Sequence, residues 1–174
     1  PAKSGRMHVL LLMQRMRVRS AGSAGGTTRL ADLIERARPS MKRRSAVFVV
    51  SDFISESGWE ASMSRLAQRH DVVAVRLFDP LEMQLPELGM VLMQDAETGE
   101  QIFVDTGAHG FRERFEAAAA RREDELRNAL ARAGVDTLEL PTDADLGDSI
   151  LAFVEARRQR SRLAAGALPL QNRR

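Results

Sequence analysis

Between Met7 and Met16 apolar residues fall at Met7, Leu10 and Leu11, with a second set at Val9, Leu12, Met13 and Met16. That spacing predicts a helix buried over much of its circumference. A run of small residues from Ser20 to Gly26 breaks the pattern. Thr27 or Thr28 then stands where an N-cap belongs, ahead of the helical set Leu30, Leu33, Ile34 and Ala37. Pro39 ends this helix and the basic run Lys42-Arg43-Arg44 follows. Ala46-Val47-Phe48-Val49-Val50 is continuously apolar, which predicts a strand buried on both faces, with Asp52 just past its end.

Ser57 and Glu60 have capping-box spacing, and Trp59, Met63, Leu66 and Ala67 form a helical stripe before the next apolar strand, Val72 to Phe78. Met90 to Gln94 and Gln101 to Val104 flank a turn-forming stretch, Asp95 to Glu100, which predicts an antiparallel hairpin inserted in the α/β alternation. A long helix is predicted from Phe111 to Ala133, with Gly134 suited to terminate it and Arg122 interrupting its apolar stripe. Val135 to Leu140 is the next strand. Ile150, Phe153 and Val154 mark a last helix entered near Asp145. Beyond Arg157 the periodicity fades, so the expectation is a single α/β domain over residues 1–157 and a flexible arginine-rich tail over 158–174.

Strands alternating with helices imply a mostly parallel sheet flanked by helices, with right-handed crossovers. A chain of 174 residues, 44% apolar and 29% charged, is long enough to bury one core. It lacks cysteine, which removes disulfides and thiolate metal sites. Its apolar runs fall far short of the roughly 20 residues needed to span a bilayer. The reading is cytoplasmic. The chain begins without an initiator methionine and is treated as a piece of a longer protein. Its net charge is only +2, and the high pI of about 9.9 comes from arginines that stay charged to very high pH.

In open parallel sheets ligands bind beyond the carboxyl ends of the strands. Asp52, Asp79 and Asp143 each follow such an end, with Thr27 near the same edge. Their oxygens suit a hard cation such as Mg²⁺ or Mn²⁺. The plainer reading is that these aspartates cap helices and shape turns. His8, His70 and His109 stand in no triad or metal spacing, and Gly25-Gly26-Thr27-Thr28 lacks the phosphate-loop pattern. Arginines along residues 112–132 alternate with acids as on a solvated helix face. Those from Arg157 to Arg174 could contact nucleic acid nonspecifically, although no aromatic side chains accompany them.

Ser51-Asp52-Phe53, then Arg69-His70-Asp71-Val72-Val73-Ala74-Val75-Arg76, then Asp79-Pro80 with Glu82, Leu85-Pro86 and Gly89 form an ordered run. It continues through Asp95, Glu97-Thr98-Gly99-Glu100 and Val104-Asp105-Thr106. Over Lys42 to Arg157 this run resembles the domain of unknown function 58 family. The resemblance implies the later part of a von Willebrand factor A fold, in which a metal-ion-dependent adhesion site is assembled from three loops. Gly26-Thr27 resembles the loop that gives a threonine ligand, and Asp52 resembles the third-loop aspartate. The first loop, Asp-x-Ser-x-Ser, has no counterpart upstream of Gly25. Family members are similar to adaptor-like partners of MoxR-type AAA+ ATPases, and no enzymatic activity follows from the resemblance. The expectation is a non-enzymatic interaction module, metal-assisted through Thr27 and Asp52. Set against it are a metal-dependent hydrolase using Asp52, Asp79 and Asp143, and nonspecific nucleic-acid binding by the basic tail.

Overall fold

Three strand-sized apolar runs separated by helices form a parallel sheet in the computed structural model, which describes residues 5–17, 29–54, 58–94 and 99–166. Along the chain the elements are α1 (Arg6–Arg17), α2 (Leu30–Ala37), β1 (Ala46–Ser51), α3 (Trp59–Ala67) and β2 (Asp71–Phe78). They are followed by β3 (Met90–Gln94), β4 (Gln101–Asp105), α4 (Phe111–Ala133), β5 (Asp136–Pro141) and α5 (Leu146–Gly166). The sheet order is β1-β2-β5, all parallel, with Phe48 opposite Val73 and Val75 opposite Leu138. β3 and β4 make a separate antiparallel ribbon, as expected for an inserted hairpin. Thr106 is fully buried at its base, where its hydroxyl donates to the Gly89 carbonyl and accepts from the Leu88 amide, both at 2.9 Å.

Side chains alternate across the strands and so build two cores. On one face α2, α3 and α4 bring Leu30, Ile34, Trp59, Met63, Leu66 and Leu130 against Val72 and Ala74, with Val47 and Val49 of β1 at the margin. On the other face Val73, Val75, Leu138 and Leu140 are met by Phe153 of α5. The helix limits have local causes. Gly134, at φ 69°, lets the last turn of α4 close through bonds from the Gly134 amide to Ala131 and from the Val135 amide to Leu130. In α2, Asp32 lies in the first turn and Arg36 in the last, each complementing the helix dipole.

Several expectations need correction. The N-cap of α2 is Arg29, and Thr27 and Thr28 lie outside the described residues. At α3 the N-cap is Gly58; Glu60 does reach back, but it accepts from the Gly58 amide at 2.8 Å, and Ser57 also lies outside. Helix α1 forms where its periodicity places it, yet Met7, Val9, Leu10, Leu11, Leu12 and Met13 are exposed, because no described element covers them. β1 is half-buried on one face and exposed on the other. Phe48 and Val50 remain 62% and 58% exposed, since β1 is the sheet edge and α5 lies over β2 and β5. Helix α5 runs on to Gly166 where a tail was expected from residue 158. Arg157 pairs with Asp71 and, at 2.9 Å, with Asp136, and Arg160 pairs with Asp136 at 2.8 Å, so the arginine spacing serves to dock the helix.

Glu35 ties α2 to α3: it accepts from Arg65 at 2.7 Å and from Arg38 at 2.6 Å. The Arg65 guanidinium, then that of Arg38, holds its carboxyl down at about 2, against an ordinary value of 4.5. The folded value lies below the unfolded one, so the contribution is complete above pH 4.5 and is lost as pH falls through about 2. The site is exposed, so the effect is small and weakens with salt. An NMR titration of the Glu35 carboxyl should show the depressed value, and Arg65→Ala should move it upward. An unchanged titration in that variant would remove Arg65 as the cause.

Candidate functional site at the carboxyl edge of the sheet

Because β1, β2 and β5 are parallel, their carboxyl ends share one edge, and Asp52, Asp79 and Asp143 all follow it. Asp52 is exposed. Its Oδ1 accepts from the Ile54 amide at 3.0 Å and from the Ser51 hydroxyl at 3.3 Å, while Ser51 Oγ accepts from the Phe53 amide at 3.0 Å. These bonds turn the chain sharply and place Phe53 at φ 61°, a left-handed conformation unusual for a bulky residue. What holds it is packing: Phe53 is buried with its ring 5.4 Å from that of Trp59. The Ser51-Asp52-Phe53 turn therefore fixes the Asp52 carboxylate on a rigid base and leaves Oδ2 without a hydrogen bond among the described residues.

The other two aspartates do different work. Asp79 caps the short 3₁₀ turn Pro80–Glu82, accepting from the Leu81 amide at 2.9 Å, while Glu82 reaches back to the Asp79 amide. Asp143 is exposed in the turn before α5, and the cap of that helix is Asp145, which accepts from the Asp148 amide at 2.9 Å. Sharing an edge has not made the three carboxylates converge. Among the described residues no three acidic or histidine side chains are grouped to hold a metal. The hydrolase reading needs carboxylates close enough to share metals about 3.5–4 Å apart, and this arrangement does not offer them. Thr27 lies outside the described residues.

Beside Asp52 a cavity of about 310 Å³ opens between α3, α4 and the ends of β1 and β2, lined among others by Trp59, Glu60, Arg76, Glu82 and Glu123. Its inner wall is a buried ion pair. Arg76 Nη1 donates to Glu123 Oε1 at 2.7 Å and lies 2.5 Å from Oε2, and among the described residues Oε2 takes no well-directed bond and Arg76 Nε has no partner. The Arg76 guanidinium stacks 4.5 Å from the centre of the Phe78 ring. Sequence reasoning missed this pair. Arg76 within the apolar run Val72 to Phe78 was the available signal, because a charge on an interior strand requires a partner.

Comparison with known proteins adds identity without function. The chain is 32% identical over 161 residues to Uncharacterized protein MAV169 of Mycobacterium avium, covering 91% of this chain and 94% of that one. It is 31% identical to Uncharacterized protein Rv1480 of Mycobacterium tuberculosis and to Uncharacterized protein Mb1516 of Mycobacterium bovis, spanning 50% of the length of each. Among solved structures, conserved hypothetical protein BatB from Bacteroides thetaiotaomicron aligns with a TM-score of 0.46 at 14% identity, covering 86% of this chain and 69% of that one. Residues 1–125 match the family described as Protein of unknown function DUF58, and the chain belongs to that family.

Proposed function

We propose that this chain is a non-enzymatic protein-interaction module of von Willebrand factor A type, which engages its partner at the carboxyl edge of the sheet through Asp52. The observation that carries this reading is the Asp52 turn: a rigidly held, exposed carboxylate with one oxygen committed to the backbone and the other open. Such a group fits Mg²⁺ or Mn²⁺, which take one or two protein carboxylates and complete their shell with water and neutral oxygens. Thr27 would be a second ligand. A bound cation would supply positive charge that Asp52 shares with an acidic group of the partner. Asp52 itself does the positioning, through the Ile54 amide and the Phe53–Trp59 packing beneath it. The partner we favour is a MoxR-type AAA+ ATPase, with the module acting as its adaptor in protein assembly or maturation. The nucleic-acid reading is less well supported, because Arg157 and Arg160 are engaged by Asp71 and Asp136.

The test is a pull-down with the native-length chain, wild type beside Asp52→Ala, in Mg²⁺ or EDTA, with retained proteins identified by mass spectrometry. Wild type in Mg²⁺ should retain an AAA+ ATPase, and both EDTA and Asp52→Ala should abolish capture while the circular dichroism spectrum is unchanged. Equal recovery in all conditions would leave Asp52 as a turn residue only.

A further inference from the structure

At the amino edge of the sheet, opposite the Asp52 turn, a second cavity of about 270 Å³ opens where α2 and α3 end, lined among others by Glu35, Arg38, Arg65, Arg69 and His70. Its frame is rigid. The His70 amide donates to the Leu66 carbonyl at 3.0 Å, closing α3, and the Asp71 amide donates to the Ser45 carbonyl at 2.9 Å, where β1 and β2 begin to pair. Glu35 holds Arg38 and Arg65 together, and each guanidinium keeps further N–H groups beyond the nitrogen it presents to that carboxylate. Arg69 makes no ion pair among the described residues. Three guanidinium groups against one carboxylate leave the cavity with two positive charges in excess. Basic side chains complement the dipole where helices end, which accounts for each arginine singly. It does not account for His70. That residue is only 6% exposed and lines the cavity, and its buried Nδ1 has no hydrogen-bond partner among the described residues.

We propose that this cavity binds a phosphoryl group, either free phosphate or the phosphate of a small ester. Two excess charges match a dianion, whereas a carboxylate carries one charge too few. A guanidinium fork pairs with two phosphate oxygens at once, and Arg69 is free to present one. His70 Nδ1, carrying its proton, gains in a phosphate oxygen the acceptor it otherwise lacks. Lys42-Arg43-Arg44, exposed on the approach to β1, extends the positive field that draws an anion in. The size of the cavity and its lining favour a small ligand over a nucleic-acid strand. A space of about 270 Å³ admits one phosphoryl group on a short stem, and no Phe, Tyr or Trp lines it to stack a base. The site stands at the opposite edge from Asp52 and does not rest on the function proposed there.

The experiment follows the native-length protein, with isotopically labelled histidine, by NMR during titration with sodium phosphate and, in parallel, with sodium chloride at the same pH and ionic strength. Phosphate should shift the His70 ring nitrogens and then saturate. Chloride should leave them in place, and His8 and His109, which do not line the cavity, should hold still in both titrations. Arg69→Ala, at an exposed position, should weaken phosphate binding by about tenfold or more through loss of a charge-assisted bond, with the circular dichroism spectrum unchanged. A third titration, with glycerol phosphate, separates the sources: tighter binding than inorganic phosphate assigns the site to an ester, and equal or weaker binding assigns it to the free anion. A response that never saturates, an equal response to chloride, or wild-type affinity in Arg69→Ala would overturn the proposal. So would a DNA oligonucleotide that shifts His70 where phosphate does not.

Discussion

Trp59→Ala is expected to lower the unfolding free energy by about 3–5 kcal/mol, the usual cost of removing a large aromatic ring from a packed core. Trp59 is buried at the first turn of α3, in the cluster that also holds Leu30, Ile34, Met63, Leu66, Ala129 and Leu130. Its loss would also remove the ring against which Phe53 is braced, and with it the packing that keeps Phe53 in its left-handed conformation. The damage should therefore reach the Asp52 turn as well as the core. Trp59 is the sole tryptophan, so urea unfolding has to be followed by circular dichroism rather than fluorescence. Trp59→Phe, which keeps a ring, should cost markedly less. If the alanine variant lost under about 1 kcal/mol, the cluster would not be packed as described.

Glu123→Ala is expected to cost a similar amount, about 3–5 kcal/mol, for an electrostatic reason. The Arg76 and Glu123 side chains are only 9% and 12% exposed, so deleting the carboxylate strands a guanidinium inside the protein with its Nε already unpartnered. Stacking on Phe78 retains the charge without neutralising it. The double variant Arg76→Met with Glu123→Leu removes both charges together. It should recover most of the loss, because a well-packed apolar pair avoids the desolvation that the ion pair must overcome. The non-additivity, measured by urea unfolding of the full cycle, is the decisive quantity. Simple additivity of the two single changes would show that the charges do not depend on each other.

These cases mark what the sequence discloses. Strand and helix periodicity, the antiparallel pairing of β3 with β4 and the stop at Gly134 were legible because each is written in neighbouring residues. The position of β1 in the sheet was not: an apolar run gives a strand's composition, and its neighbours are decided by distant segments. Arg76 and Glu123 lie 47 residues apart, and nothing local announces that they meet. At the candidate site, the position of Asp52 after a strand was legible because it directly follows the apolar run Ala46 to Val50. Asp79 and Asp143 share that place and turn out to shape turns, since position alone does not set where a carboxylate points. The N-caps shifted by a residue or more because adjacent small and polar residues compete to begin a helix.

The pairing of β2 with β5 has a kinetic side. Val73 meets Phe48 across a short α3 crossover, but it meets Asp136 only after the β3–β4 ribbon and the whole of α4 have been made. Closing so long a loop is entropically slow, and contacts of that kind form late. On the ribosome, β1, β2 and their α2–α3–α4 layer can assemble while Val73 and Val75 still face solvent, because β5 and α5 are synthesised after them. The emerging chain thus passes through a stage with one finished apolar layer and one bare one, and that stage is where a chaperone would have most to protect.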